Sequence, residues 1–109
     1  MSKFFRKVSI TALETPPLIY TGLSSPQTLT ITSPSLVIMN STALITLNLP
    51  ANPNPGQRFT IINYSNKTLT IDTNNGGNFF DGSISNNKIF MGQFDKVQLI
   101  FYGNQWFTV

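Results

Sequence analysis

The chain has no cysteine and no histidine, and only four of its 109 residues are acidic. Without cysteine there is neither a disulfide framework nor a thiolate nucleophile, and without histidine the commonest general base and metal ligand is missing. Glu14 is the only glutamate, and the three aspartates are scattered among asparagine, glycine and lysine. We therefore expect a protein that is not an enzyme and that uses no cofactor and no metal.

The nearest pair of carboxylates across a loop is Asp72 and Asp81. A glycosidase needs two carboxyl groups about 5 to 10 Å apart. Both aspartates, however, stand beside asparagine or glycine, where aspartate commonly bonds its own backbone. An EF-hand beginning at Asp72 also fails, because Gly76 occupies a ligand position and Ser83 stands where a glutamate is required. An irregular calcium site at this loop is the alternative that the residues leave open.

Charged residues make up only 10% of the chain, and the net charge is +3. Lys3, Arg6 and Lys7 supply three positive charges, and the four other cations are balanced by four acids. A near-neutral body lacks the broad basic face that drives binding to phosphates, so nucleic acid is not an expected partner. Few lysines and glutamates are present to guard sheet edges, which favours pairing between copies of the chain.

Long apolar runs are also missing, since no stretch approaches the roughly 18 residues of a membrane span. The apolar stretch after Lys7 is interrupted by Ser9, Thr11 and Glu14, and Pro16-Pro17 follows. It is too short and too polar for a signal-peptide core. We expect no membrane partner and synthesis in a cytoplasm.

Strand patterns fill most of the chain. Apolar residues alternate with threonine from Thr28 to Thr32, and the same period of two recurs from Ile45 to Leu49 and from Val97 to Tyr102. No segment has helical periodicity. About eight to ten short strands with frequent turns are typical of an all-β fold, and we expect a compact antiparallel β-sandwich, jelly-roll-like, or β-prism domain. The tetrapeptide Thr-Leu-Thr-Ile occurs at 28 and at 68, but the flanks do not align, so we interpret it as composition.

Two hairpins and a domain division follow from the turn residues. We predict one hairpin between the strand around Phe59 and the strand 68–71, and a terminal one turning at Gly103-Asn104. Residues 1–25 are predicted to be an N-terminal arm or linker with a possible first strand at 8–13, and residues 26–109 a single β-domain. The arm carries a tract that could tether the protein or contact an anionic surface: Lys3, Phe4, Phe5, Arg6 and Lys7. A solvated, frayed terminus is the other interpretation.

Aromatic residues supply the candidates for ligand contact. Phe79, Phe80 and Tyr64 lie in predicted loops, where they could meet a polar, uncharged ligand, although Phe79 and Phe80 could equally cap the core. Trp106 lies in the closing hairpin and is expected in the core. The candidates for packing in the core or between copies are Ile45, Leu47, Leu49, Val97, Leu99, Phe101 and Trp106.

The second half of the chain resembles a known kind of domain. Its order of motifs is Leu49-Pro50-Ala51-Asn52-Pro53, then Pro55-Gly56-Gln57-Arg58 before Phe-Thr-Ile-Ile-Asn, then Leu-Thr-Ile, Asp-Gly, and Tyr102-Gly103-Asn104-Gln105-Trp106. This succession is similar to the small β-domain of viral and phage tail-fibre, tail-spike and virion-surface proteins. The resemblance covers somewhat over half of the chain, and it implies a homotrimeric structural or receptor-binding module.

Two functions are therefore expected. The first is a non-enzymatic virion structural protein, that is, a minor capsid, fibre or decoration module. It is expected to form a homotrimer and to attach to a larger virion component through its N-terminal arm, and it could also take part in host attachment. The alternative is a monomeric carbohydrate-binding module that recognises a glycan of a host surface or cell wall through Phe79, Phe80, Tyr64 and the asparagine-rich loops. Localisation to the virion follows from the first.

Overall fold

The computed structural model describes residues 16–21, 26–75, 77–81 and 84–109. Within these residues the chain is all-β, without a helix, and its strands form two sheets. The strands are β1 (Leu18–Thr21), β2 (Gln27–Thr28), β3 (Leu36–Asn40), β4 (Ile45–Asn48), β5 (Arg58–Asn63), β6 (Leu69–Asp72), β7 (Phe79–Asp81), β8 (Ile84–Asn86), β9 (Lys88–Met91), β10 (Lys96–Tyr102) and β11 (Gln105–Thr108). The large sheet has the order β1-β3-β5-β10-β11-β7-β8, and the small sheet has the order β2-β4-β6-β9.

The first six strands alternate between the two sheets. β1, β3 and β5 are parallel neighbours in the large sheet, and β2, β4 and β6 are parallel neighbours in the small sheet. Parallel neighbours need a crossover connection, and here the strand in the opposite sheet supplies it. These six strands therefore stack as three coils of a short, solenoid-like structure in which each coil packs on the next.

The remaining strands close this stack with mostly antiparallel pairs. β9 pairs with β6 in the small sheet, while β10 pairs with β5 and β11 in the large sheet. β7 then pairs in parallel with β11, and β8 pairs antiparallel with β7. Gly103 and Asn104 join β10 to β11 with φ values of 60° and 64°, the backbone of a type I′ turn. The predicted terminal hairpin is confirmed.

The core lies between the two sheets. In β3, β4, β5, β6 and β10 alternate residues point inward, so buried side chains come at every second position, as in Ile45 and Leu47 of β4 or Leu99 and Phe101 of β10. The Trp106 ring centroid lies 6.0 Å from that of Phe59 and 5.2 Å from that of Phe101. Each large apolar side chain that is fully buried contributes about 1.5 to 3 kcal/mol, so this layer holds the two sheets together.

The sequence-based expectations are met in part. The all-β prediction is confirmed, but five of the nine strand pairs in the described residues are parallel, which the expectation of an antiparallel domain did not include. The predicted hairpin of β5 with β6 is wrong, because these strands lie in different sheets. The chain turns across the core after Asn63, whose side chain bonds to backbone groups of the turn and of the β9 end.

The segment predicted to be an arm also contributes to the large sheet. Leu18 and Tyr20 of β1 pack against the core, and β1 pairs along its full length with β3. The predicted strand at 8–13 and the tract from Lys3 to Lys7 lie outside the described residues. The described part of the chain contains no helix that is both long and apolar enough to cross a membrane.

Candidate functional site

The three aromatic residues predicted to contact a ligand lie in different surroundings. Phe79 belongs to β7, is only 2% exposed and pairs with Trp106, so it is part of the core. Phe80, the next residue, points outward and is 38% exposed. Tyr64 follows β5 and is 55% exposed. The prediction that Phe79 and Phe80 lie in a loop is wrong, because β7 contains both residues.

Phe80 and Tyr64 each contact an aromatic partner that the sequence analysis did not single out. The Phe80 ring lies 5.7 Å from the ring of Phe107 on β11, in an edge-on arrangement. The Tyr64 ring lies 5.5 Å from that of Phe94 in the turn between β9 and β10. Because β10 and β11 separate β7 from β5 in the large sheet, Phe80 and Tyr64 do not form one site.

The residues predicted to pack in the core all lie there. Ile45, Leu47 and Leu49 are buried in the layer between the sheets, as are Leu99, Phe101 and Trp106, and Val97 packs against this layer while partly exposed. The indole Nε1 of Trp106 is buried without a hydrogen-bond partner among the described residues. These side chains hold the two sheets together, and Phe101, which is 8% exposed, also lines a cleft at one end of the core.

Asp72, one member of the predicted aspartate pair, is held by two hydrogen bonds. Asp72 Oδ1 accepts the backbone N–H of Asn74 at 2.8 Å, and Asp72 Oδ2 accepts a bond from Lys88 Nζ at 3.1 Å. The hydrogen bond from the Asn74 N–H is the largest cause that lowers the pKa of Asp72, and Lys88 lowers it further. Partial burial acts in the opposite direction and raises this pKa. The side chain of Asp81 lies outside what the structure describes. Among the described residues, no three histidine, cysteine or acidic side chains cluster as metal ligands would.

A cleft forms where three loops meet at one end of the core. The loops join β4 to β5, β6 to β7 and β10 to β11. The cleft has a volume of about 410 Å³, and it is lined by Ala51, Asn52, Pro53, Asn75, Gly77, Phe101 and Asn104. We call it the amide cleft, because three of its seven lining residues are asparagines.

Hydrogen bonds hold the loops of the amide cleft. Gly56 N–H donates to the carbonyl of Phe101 at 2.7 Å, and Phe101 N–H donates to the carbonyl of Gln57 at 2.9 Å. Asn75 Oδ1 accepts the Gly77 N–H at 2.8 Å, and Asn75 Nδ2 donates to the Ala51 carbonyl at 3.4 Å. Hydrogen bonds therefore connect the β4–β5 loop with the β6–β7 loop and with β10, the strand that leads into the third loop.

The lining of the amide cleft is uncharged but rich in hydrogen-bonding groups. Asn52 and Asn104 are exposed, and their side-chain amides bond to no other group in the described part of the chain. Phe101 supplies an apolar floor, backed by Trp106. Sequence reasoning used the Ala51-Asn52-Pro53 motif for the resemblance alone, and the Gly103-Asn104 motif for the resemblance and for the terminal hairpin. The signal that it missed is an asparagine beside proline or glycine in all three loops.

The two sheets differ in the chemistry of their outer faces. The small sheet presents threonine and charged groups, including the Lys88–Asp72 ion pair, with Phe90 as an exposed exception. The outer face of the large sheet carries the apolar residues Ile19, Leu36, Ile38, Ile62, Ile100, Phe107 and Phe80. Ile19, Ile38 and Ile62 are adjacent in register and form an apolar row across three strands.

Comparison with protein-family models, with curated proteins and with solved structures found no match to this chain.

Proposed function

We propose that this protein is a non-enzymatic structural protein of a virion, a minor capsid, fibre or decoration module, which self-associates as a homotrimer through the outer face of its large sheet. The observation that carries self-association is the isoleucine row of Ile19, Ile38 and Ile62 on that face. Ile19 is 55% exposed in the single chain. Contiguous apolar surface of this kind is typical of a face that another protein covers.

A second copy of the same chain is the occupant that the surface favours. The row is uncharged from Ile19 to Ile62, and the neighbouring cations on this face are Lys96, which pairs with Ile62, and Arg58, which pairs with Ile100. The row itself is therefore matched better by an apolar surface than by a charged partner. The outer face of the small sheet is polar and suited to contact with water, whereas the isoleucine row on the large sheet is suited to burial. The virion assignment and the number of three copies are supported by the resemblance of residues 47–109 to viral fibre and surface domains. The basic tract from Lys3 to Lys7 would then contact a larger virion component.

Light scattering coupled to gel filtration, over a dilution series of the full chain, tests this proposal. The expected mass is three times 12.1 kDa. A mass of 12.1 kDa at every concentration would contradict self-association, and a dimer mass would contradict the trimer alone.

Substitutions on the two outer faces show which surface is used. The double variant Ile38→Thr with Ile62→Thr keeps β-branched strand formers but removes apolar area from the row, and we expect it to elute as a monomer. The control is Phe90→Ser, which removes a 68% exposed aromatic from the opposite sheet and is expected to leave the mass unchanged. Circular dichroism checks that each variant keeps its β structure.

A further inference from the structure

We propose that the amide cleft binds a neutral saccharide of one or two sugar units. The site consists of Asn52, Asn75 and Asn104 above the floor formed by Phe101. It is separate from the outer face that carries self-association and from the aromatic residues predicted as ligand contacts, so it stands whether the protein is a trimer or a monomer.

The chemistry of the lining selects the ligand class. An asparagine amide offers two donors and a carbonyl acceptor, which matches neighbouring hydroxyl groups that both donate and accept. An anion would need a cationic lining and a metal ion would need carboxylates, and the lining has neither. Pro53 and Phe101 supply apolar surface for the C–H face of a sugar ring. The volume of about 410 Å³ lies at the small end of ligand pockets, which span roughly 300 to 1,000 Å³.

The cleft also has unused hydrogen-bonding capacity. Asn52 and Asn104 have no side-chain partner in the described residues, and Asn75 uses one acceptor position on Gly77 and a long 3.4 Å bond to Ala51. Asn104 is held at φ 64° in a type I′ turn, so its Cα position is set by the hairpin before a ligand arrives. The backbone of Asn104 therefore needs no reordering when a ligand binds.

Gly77 positions Asn75. A Cβ placed on Gly77 would lie 2.9 Å from Asn75 Oδ1, the atom that accepts the Gly77 N–H. Gly77→Ala would therefore displace the Asn75 side chain while leaving the backbone in place. We expect this variant to fold normally and to bind saccharide more weakly.

The test is a titration of the ¹⁵N-labelled full chain with maltose, cellobiose and chitobiose at millimolar concentrations, followed by nuclear magnetic resonance. We expect at least one of them to shift the side-chain amide signals of Asn52, Asn75 and Asn104 together with the backbone signals of the cleft loops. No shift with any of the three sugars would overturn the proposal, as would shifts confined to the surroundings of Tyr64 or Phe80.

A matched pair of variants separates binding from folding. Asn104→Gly keeps a residue that tolerates positive φ but removes the amide, and we expect the dissociation constant to rise about tenfold. Asn74→Gly is the control, because Asn74 also has φ 64° and is exposed but does not line the cleft. Equal affinity in the Asn104→Gly variant and the unsubstituted chain would overturn the proposal.

Discussion

Asn63 is a buried polar residue whose side chain connects two turns. It is 0% exposed, and its Nδ2 group donates to the carbonyls of Lys67 and Met91 at 2.9 Å and of Gly92 at 3.2 Å. Its Oδ1 accepts the Ser65 N–H at 3.0 Å. One buried amide thereby bonds to backbone groups of two turns, one after β5 and one after β9.

Asn63→Asp is expected to lower the free energy of unfolding by at least about 3 kcal/mol, because it buries a charge and removes the donor from three carbonyls. Urea denaturation followed by fluorescence of Trp106 measures the change. The control is Asn66→Asp, at an exposed position in the same turn, with an expected effect below about 0.5 kcal/mol. Similar losses in both variants would show that the side-chain bonds of Asn63 do not stabilise the fold.

Asp72 gives the protein an acid-sensitive contribution to stability. Its pKa is lowered in the folded chain, first by the Asn74 N–H and then by Lys88. A lowered folded pKa means that the carboxylate stabilises the fold above its unfolded pKa, about 4, and that this contribution is lost as the pH falls through the folded value. Because Asp72 is partly exposed, solvent screening reduces the stabilisation that its carboxylate gives to the fold.

We therefore expect the urea midpoint of Asp72→Asn to fall less between pH 5 and acid pH, about 2, than that of the unsubstituted chain. Lys88→Ala should keep more of the acid sensitivity than Asp72→Asn, because the backbone donor is the larger cause. Parallel midpoint curves for Asp72→Asn and the unsubstituted chain would contradict this account.

At the scale of elements, turn geometry sets which strands pair as hairpins. The β10–β11 connection places Gly103 at φ 60° with nothing near its missing Cβ, so only the backbone conformation restricts this position. Gly92, in the turn after β9, has no positive φ, and a Cβ there would make an ordinary contact of 3.5 Å with Asp95.

Gly103→Ala is expected to destabilise the fold by about 1 kcal/mol, because an L side chain is strained at positive φ. Gly92→Ala removes a glycine without that strain and should change stability by less than about 0.5 kcal/mol. Thermal unfolding of the two variants measures the difference, and a loss at Gly92 as large as that at Gly103 would disprove the conformational explanation.

Alternation in the sequence predicted the strands and their buried faces well, as in Ile45, Leu47 and Leu49. It could not predict their partners, because a strand, a turn and a second strand fit both a hairpin and a connection between opposite sheets. The side-chain bonds of Asn63 distinguish the two at β5, and these depend on carbonyls far along the chain. The sequence also did not show that the coils repeat, because successive coils differ in length. The chain from Val37 to its partner Ile61 is longer than the chain from Leu18 to its partner Val37.

The candidate site could not be predicted for the same reason, because the sequence does not show which distant segments pair. The asparagines of the amide cleft lie in motifs that are visible in the sequence. Their closeness in the fold, however, depends on the backbone hydrogen bonds of Gly56 and Gln57 with Phe101. That pairing joins segments that are distant along the chain, so no local pattern indicates it. Aromatic residues in predicted loops were a stronger indication of a ligand site than these asparagines. One of those aromatics, Phe79, lies in β7 and is part of the core.

At the scale of the whole molecule, the chain consists of a parallel stack of coils closed by antiparallel strands, with one apolar and one polar outer face. The Leu36–Asn40 strand has buried residues on one face and half-buried residues on the other. A continuous apolar run such as Leu36 to Met39 is typical of a strand that is covered on both faces. Self-association at the outer face of the large sheet would supply that second cover.

The position of β10 has a consequence for the order of folding. In the large sheet, β1, β3 and β5 form one piece, β11, β7 and β8 form the other, and β10 joins them. A growing polypeptide that has been synthesised only through β9 therefore has no strand of its own for the inner edge of β5. Until residues 96–102 leave the ribosome, that edge can pair with another nascent chain, so crowded translation is the stage at which misassembly threatens this protein most.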